Sequence, residues 1–144
     1  MKLDPKLVLE GGYTFESGVA CAQQLLERPP ALRPTAVFAG NDEMALGAMR
    51  ALHELGRDVP ADVSIVGFDD MDVAASFWPP LTTVRQDFAA VGRLSIQKLL
   101  AKVSDPAAPN DTTIVPTDLI IRGSTARPAL ALPRPRAQTL PELT

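Results

Sequence analysis

The chain has 144 residues, 46% of them apolar and 22% charged, with a formal net charge of −3, which fits one soluble domain or part of a larger protein. A single cysteine, Cys21, and a single histidine, His53, exclude an intramolecular disulfide and leave no ligand set at zinc spacing. No apolar run approaches the roughly 18 residues of a membrane span, the opening Met1 to Gly12 carries no signal-peptide pattern, and no Lys/Arg cluster offers a phosphate-binding surface.

Turn signals alternate with apolar segments up to about Arg127. There the composition shifts to a proline-rich stretch without apolar period, so the organisation is read as a domain over 1–126 and a disordered tail over 127–144. A first helix is expected from Phe15 to Glu27, with Thr14 as N-cap, Pro29 and Pro30 as the stop, and Gly18, Ala22, Leu25 and Leu26 as the buried face. Thr35 to Ala39 is expected as a parallel strand covered on both faces. Asn41 or Asp42 then caps a second helix whose apolar positions Ala45, Ala48, Met49, Leu52 and Leu55 keep helical spacing, with Gly56 as its left-handed terminator.

A second strand is expected over Val63 to Phe68, ending at the pair Asp69 and Asp70, followed by a short helical turn from Met71 to Ser76. The Phe77-Trp78-Pro79-Pro80 stretch has to be extended before a third strand, Leu81 to Val84. Asp87 caps a third helix with apolar positions Phe88, Val91, Leu99 and Val103, which stops at Asp105-Pro106. A last strand from about Thr112 to Ile121 contains Pro116, which marks an edge or a bulge. Cys21 is expected as a small buried residue and His53 as solvent-facing.

This alternation predicts an α/β fold, a mostly parallel sheet between helices in a three-layer sandwich, in which ligands bind beyond the carboxyl ends of the strands. Those ends carry Gly40-Asn41-Asp42, Phe68-Asp69-Asp70 and Arg85-Gln86-Asp87. A carboxylate accepts from two hydroxyls and an amide both donates and accepts, so the set suits a polyol or sugar, with Tyr13, Phe15, Phe68, Trp78 and Phe88 as flat apolar faces. Helix capping by Asn41 and Asp87, and strand termination by Asp70, are the competing readings of the same residues. Asp42 or Glu43 with Asp69 is the one carboxylate pair available to a glycoside-cleaving enzyme. A phospho-acceptor receiver domain would need a lysine near its acidic cluster, and no lysine follows a strand here.

Four segments carry a resemblance: Gly11 to Gly18 (GGYTFESG), Pro34 to Ala48 (PTAVFAGNDEMALGA), Val59 to Asp70 (VPADVSIVGFDD) and Pro79 to Phe88 (PPLTTVRQDF). Together with Arg122 they span about residues 3 to 123, and over that length the chain resembles the C-terminal part of regulators of the lactose/galactose repressor (LacI/GalR) family. The resemblance implies a periplasmic-binding-protein-like core of two lobes closing on a small effector, usually a sugar, with a separate helix-turn-helix that reads operator DNA. It implies a non-enzymatic, cofactor-free, cytoplasmic protein that works as a homodimer.

Carried over by motif, Tyr13 takes the place of the aromatic that stacks on the effector, Asn41 of the pocket amide and Asp69 of the carboxylate that grips ring hydroxyls. Gln86 and Phe88 fall where the chain crosses between lobes. The helix-turn-helix, most of the N-terminal lobe and an effector-holding arginine upstream of Tyr13 are expected to be missing. Gly12 stands where such proteins commonly have Asp or Asn. The third helix would pack in the missing lobe. A stand-alone periplasmic-type sugar receptor shares the fold and is the alternative.

Overall fold

The computed structural model describes residues 4–107 and 109–128. The expected tail over 127–144 therefore lies almost wholly outside the described residues. Four strands, β1 (Ala36–Phe38), β2 (Ser64–Asp69), β3 (Thr82–Arg85) and β4 (Asp118–Ile120), form one sheet in chain order, with α1 (Phe15–Leu26), α2 (Asp42–Glu54) and α3 (Phe88–Ser104) between and before them. The β1–β2 and β2–β3 pairs are parallel and β3–β4 is antiparallel, so the class is α/β with a mixed sheet.

Local chemistry sets the first two helices. Thr14 and Ser17 form a reciprocal capping box at the start of α1, with both backbone-to-hydroxyl bonds at 3.2 Å. Asn41 rather than Asp42 caps α2, its Oδ1 accepting from Met44 N at 2.9 Å, and Gly56 ends the turn after α2 with φ +65°. Leu55, expected on the buried stripe, is instead the C-cap residue and half exposed.

The two helices cross at small residues. A Cβ on Gly18 would sit 2.2 Å from Met44 O, and one on Gly47 would sit 2.1 Å from Phe15 O, so both positions require glycine for the backbones to approach. Beneath them Ala45, Ala51, Leu52, Ile65 and Leu81 are sealed from solvent. Burial of each of the larger three is worth roughly 1.5–3 kcal/mol.

Past β4 the chain turns back under the sheet. Buried Ser124 accepts from Thr82 N at 2.8 Å and donates to Ile65 O at 2.6 Å, while its carbonyl accepts from Ile65 N, so one serine joins β2 to β3 at their amino ends.

Three expectations need correction. The last strand is only Asp118–Ile120, because residues 112–117, with Pro116 lacking an N–H for a ladder, make no strand pairing. Strand β1 is not covered on both faces: Phe38 is 64% exposed and meets Phe68 edge-on, ring centroids 6.4 Å apart. Cys21 is half-buried, with its thiol 3.6 Å from Glu10 O. His53 is exposed, as expected. In α3 only Ala90 is buried, and Phe88, Ile96, Leu99, Leu100 and Val103 all face solvent.

Candidate functional site

The carboxyl ends of β1, β2 and β3 lie side by side, which brings the segments after Phe38, Phe68 and Arg85 to one edge of the sheet. Two groups of side chains form there. In the first, Asn41 uses both ends of its amide: Oδ1 caps α2 and Nδ2 donates to Tyr13 O at 2.9 Å. The capping expected of Asn41 is therefore present, and the other end of its amide is engaged by the Tyr13 carbonyl. The bond holds the Gly12-Tyr13-Thr14 turn over α2, and the Tyr13 ring, 67% exposed, lies beside Gly40.

In the second group, Gln86 Nε2 donates to Asp69 Oδ1 at 2.7 Å, which leaves Oδ2 of Asp69 for a further donor. Asp69, Gln86 and Phe88 line an open cleft of about 630 Å³ together with Arg85 and Asp72. Phe88 presents its ring there from the first turn of α3, held by Asp87, whose Oδ1 accepts from Ala90 N at 2.8 Å. Tyr13, Asn41, Phe15 and Trp78 do not line this cleft, and Trp78 is 93% exposed.

Among the described residues, the non-glycine residues at positive φ are Tyr13 (58°), Asp69 (107°) and Asp70 (56°). Each such conformation costs of order 1–3 kcal/mol and persists where the surroundings over-determine it. All three fall at this edge of the sheet, and two of them are expected ligand contacts.

Asp70 is the over-determining group at the β2 end. It does more than terminate a strand: Oδ1 takes Arg122 Nη2 and Oδ2 takes Arg85 Nε, each at 2.6 Å, and Arg122 also donates to Leu81 O at 2.8 Å. Burial alone would raise its pKa. The hydrogen bonds and charges of Arg122 and then Arg85 outweigh this and hold the carboxyl below the usual aspartate value.

Spacing along the chain does not reveal this clamp, because its three members come from separate segments. Nor does it reveal Asp42, which is fully buried, with Oδ1 accepting from Thr83 Oγ1 at 2.6 Å and Oδ2 from Met71 N at 2.7 Å. A signal existed in Gly67, a glycine inside a strand, since such residues mark close approach. A Cβ there would lie 2.2 Å from Asp42 Oδ1. Among the described residues no group of three His, Cys, Asp or Glu side chains converges as a metal set.

A sheet whose parallel strand ends carry an amide, a carboxylate and a second amide beside exposed aromatic rings is the geometry of a small-molecule binding lobe, and the family match agrees. Residues 2–125 match the periplasmic binding protein-like domain, and the chain belongs to that family. Its relatives there are LacI-type repressors. It is 44% identical over 124 residues to the HTH-type transcriptional regulator MalR of Streptomyces coelicolor, covering 86% of this chain and 35% of that protein.

Among solved structures it is similar to a transcriptional regulator CelR–cellobiose complex, with TM-score 0.79, 39% identity, and coverage of 86% of this chain and 37% of that one. A lac repressor dimer bound to operator and the anti-inducer ONPF gives TM-score 0.73 at 40% identity, covering 82% and 40%. The chain thus spans little more than a third of the length of the curated relatives it matches.

Proposed function

We propose that this chain is the effector-sensing part of a LacI-type transcriptional regulator, and that its effector is a sugar. The observation that carries the reading is Asp69: a carboxylate held at φ 107°, aligned by Gln86, with one oxygen left for a donor in an open cleft beside the Phe88 ring. Such a carboxylate accepts from vicinal hydroxyls, and an aromatic face takes the C–H side of a ring. The CelR neighbour holds cellobiose and another, from Enterococcus faecium, holds ribose, which supports the sugar class.

In this reading Tyr13 and Asn41 bound the ligand from the β1 side, and a second lobe outside these 144 residues closes over it. Operator DNA is read by a helix-turn-helix outside this chain, in a homodimer in the cytoplasm. The chain performs no catalysis. Of the acidic partners expected for Asp69 in a glycosidase, Asp42 has both oxygens committed inside the protein and Glu43 is exposed on α2 outside the lining of the cleft, which supports binding rather than hydrolysis.

The test is saturation-transfer NMR of the chain joined to the second lobe of its full-length regulator, with cellobiose, ribose, maltose and lactose, each with and without Asp69→Asn. The expected result is transfer from at least one sugar, weakened about 10- to 100-fold in the variant, as for loss of one or two charge-assisted hydrogen bonds. Transfer from none, or release of a monosaccharide by the wild type, overturns the proposal.

A further inference from the structure

The ligand contacts named above fall into two groups that do not touch, Tyr13 with Asn41 and Asp69 with Gln86. Any ligand that bridges them needs their relative placement fixed to a fraction of an ångström. One buried group links the two, and it takes no part in the binding proposed above. We infer that Asp42 is a positioning residue for this site, locking the Asn41–Tyr13 group to the Asp69-Asp70-Met71 turn. The inference rests on the reading of that edge as an effector pocket.

Asp42 follows Asn41 directly, at the first position of α2, so it moves with the residue that holds Tyr13. Its carboxylate crosses β2 over Gly67, the one residue type that leaves room for it. From there Oδ2 accepts from Met71 N, the first amide after the two positive-φ aspartates, and Oδ1 accepts from the hydroxyl of buried Thr83, three residues before Gln86. One side chain therefore ties the exits of β1 and β2 to β3, two residues before that strand ends. Its position in the first turn of α2 also sets its charge against the positive end of the helix.

The 2.7 Å bond to Met71 N ties Asp42 to the residue at which the Asp69-Asp70 pair leaves the strand. Asparagine preserves the arrangement when its amide oxygen accepts from Met71 N and its NH₂ donates to Thr83 Oγ1. Alanine removes both bonds.

The decisive measurement uses the ligand-free chain. Two-dimensional NMR follows the side-chain NH₂ signals of Asn41 and Gln86 and the backbone amides of Tyr13, Asp69 and Met71 in wild type, Asp42→Asn and Asp42→Ala. Asp42→Ala is expected to move the Asp69, Met71 and Gln86 signals relative to those of Asn41 and Tyr13, and Asp42→Asn to restore them. A variant that only melts earlier while these signals stay in place, or an Asp42→Asn spectrum like that of Asp42→Ala, overturns the inference.

If Asp42→Ala does not fold, Thr83→Val removes one of the two bonds at constant shape, and an unmoved Gln86 NH₂ signal overturns it equally. A sugar that binds the wild type is expected to bind Asp42→Ala roughly tenfold more weakly. Failure of every sugar to bind overturns the proposed function, while the ligand-free spectra still decide whether Asp42 positions the two groups.

Discussion

Replacing Asp70 by asparagine removes the charge that two arginines share. The Asp70 side chain is 6% exposed, Arg122 17% and Arg85 53%, so the two ion pairs are unequal. Breaking a buried pair by deleting one partner costs about 3–5 kcal/mol, whereas a half-exposed arginine contributes under about 1 kcal/mol after screening. Asparagine still offers one acceptor to Arg122, which places the expected loss near the lower end, about 3 kcal/mol.

With a urea dependence of about 1–3 kcal/mol per molar, that loss lowers the unfolding midpoint by roughly 1–3 M at pH 7. The pH dependence follows from the lowered pKa of the folded protein. The carboxylate's contribution is complete above its unfolded value of about 3.9 and is lost as pH falls through the folded value. Wild type and Asp70→Asn are therefore expected to differ most at pH 7 and to draw closer together in strong acid. Urea titrations followed by circular dichroism at a series of pH values measure this. Equal midpoints at neutral pH, or a gap that stays constant into strong acid, would falsify the account of the clamp.

Two further predictions concern the amino ends of the strands and α3. Ser124→Ala leaves Thr82 N and Ile65 O without their buried partner and is expected to cost about 1–3 kcal/mol, read as a lower melting temperature; an unchanged melt refutes the role of this serine. The solvent-facing apolar residues of α3, among them Ile96, Leu99, Leu100 and Val103, are expected to drive self-association of the chain. Sedimentation then shows mass rising with concentration, and a cooperative melt of a strictly monomeric sample refutes it.

The parts of this molecule that were legible in advance are those whose causes are local. Thr14, Asn41 and Gly56 act on the turn they belong to, so the ends of α1 and α2 follow from neighbouring residues. The strand exits bearing Asn41, Asp69 and Gln86 follow from apolar runs that stop at a polar residue, and the resemblance singled out Tyr13 and Phe88 from five candidate aromatics. What escaped is non-local. Asp42 looks like a second capping residue until β3 brings Thr83 within 2.6 Å of it. The Asp70 clamp depends on Arg122, 52 residues away. The shortness of β4 reflects an edge where pairing with β3 stops after three residues.

The unfavourable backbone at Asp69 also constrains how this protein can change. Glycine there would relax φ 107° and at the same stroke delete the carboxylate proposed to hold the ligand, so the substitution that most eases the chain is also the one that removes the proposed contact. At Asp70 the same exchange would dissolve the clamp, and the loss of both ion pairs offsets what the relaxed backbone returns. Selection for thermal robustness alone therefore favours loss of the carboxylate at one aspartate while its neighbour is held in place. If the proposed function holds, directed evolution of this domain has to score ligand response and folding in the same round.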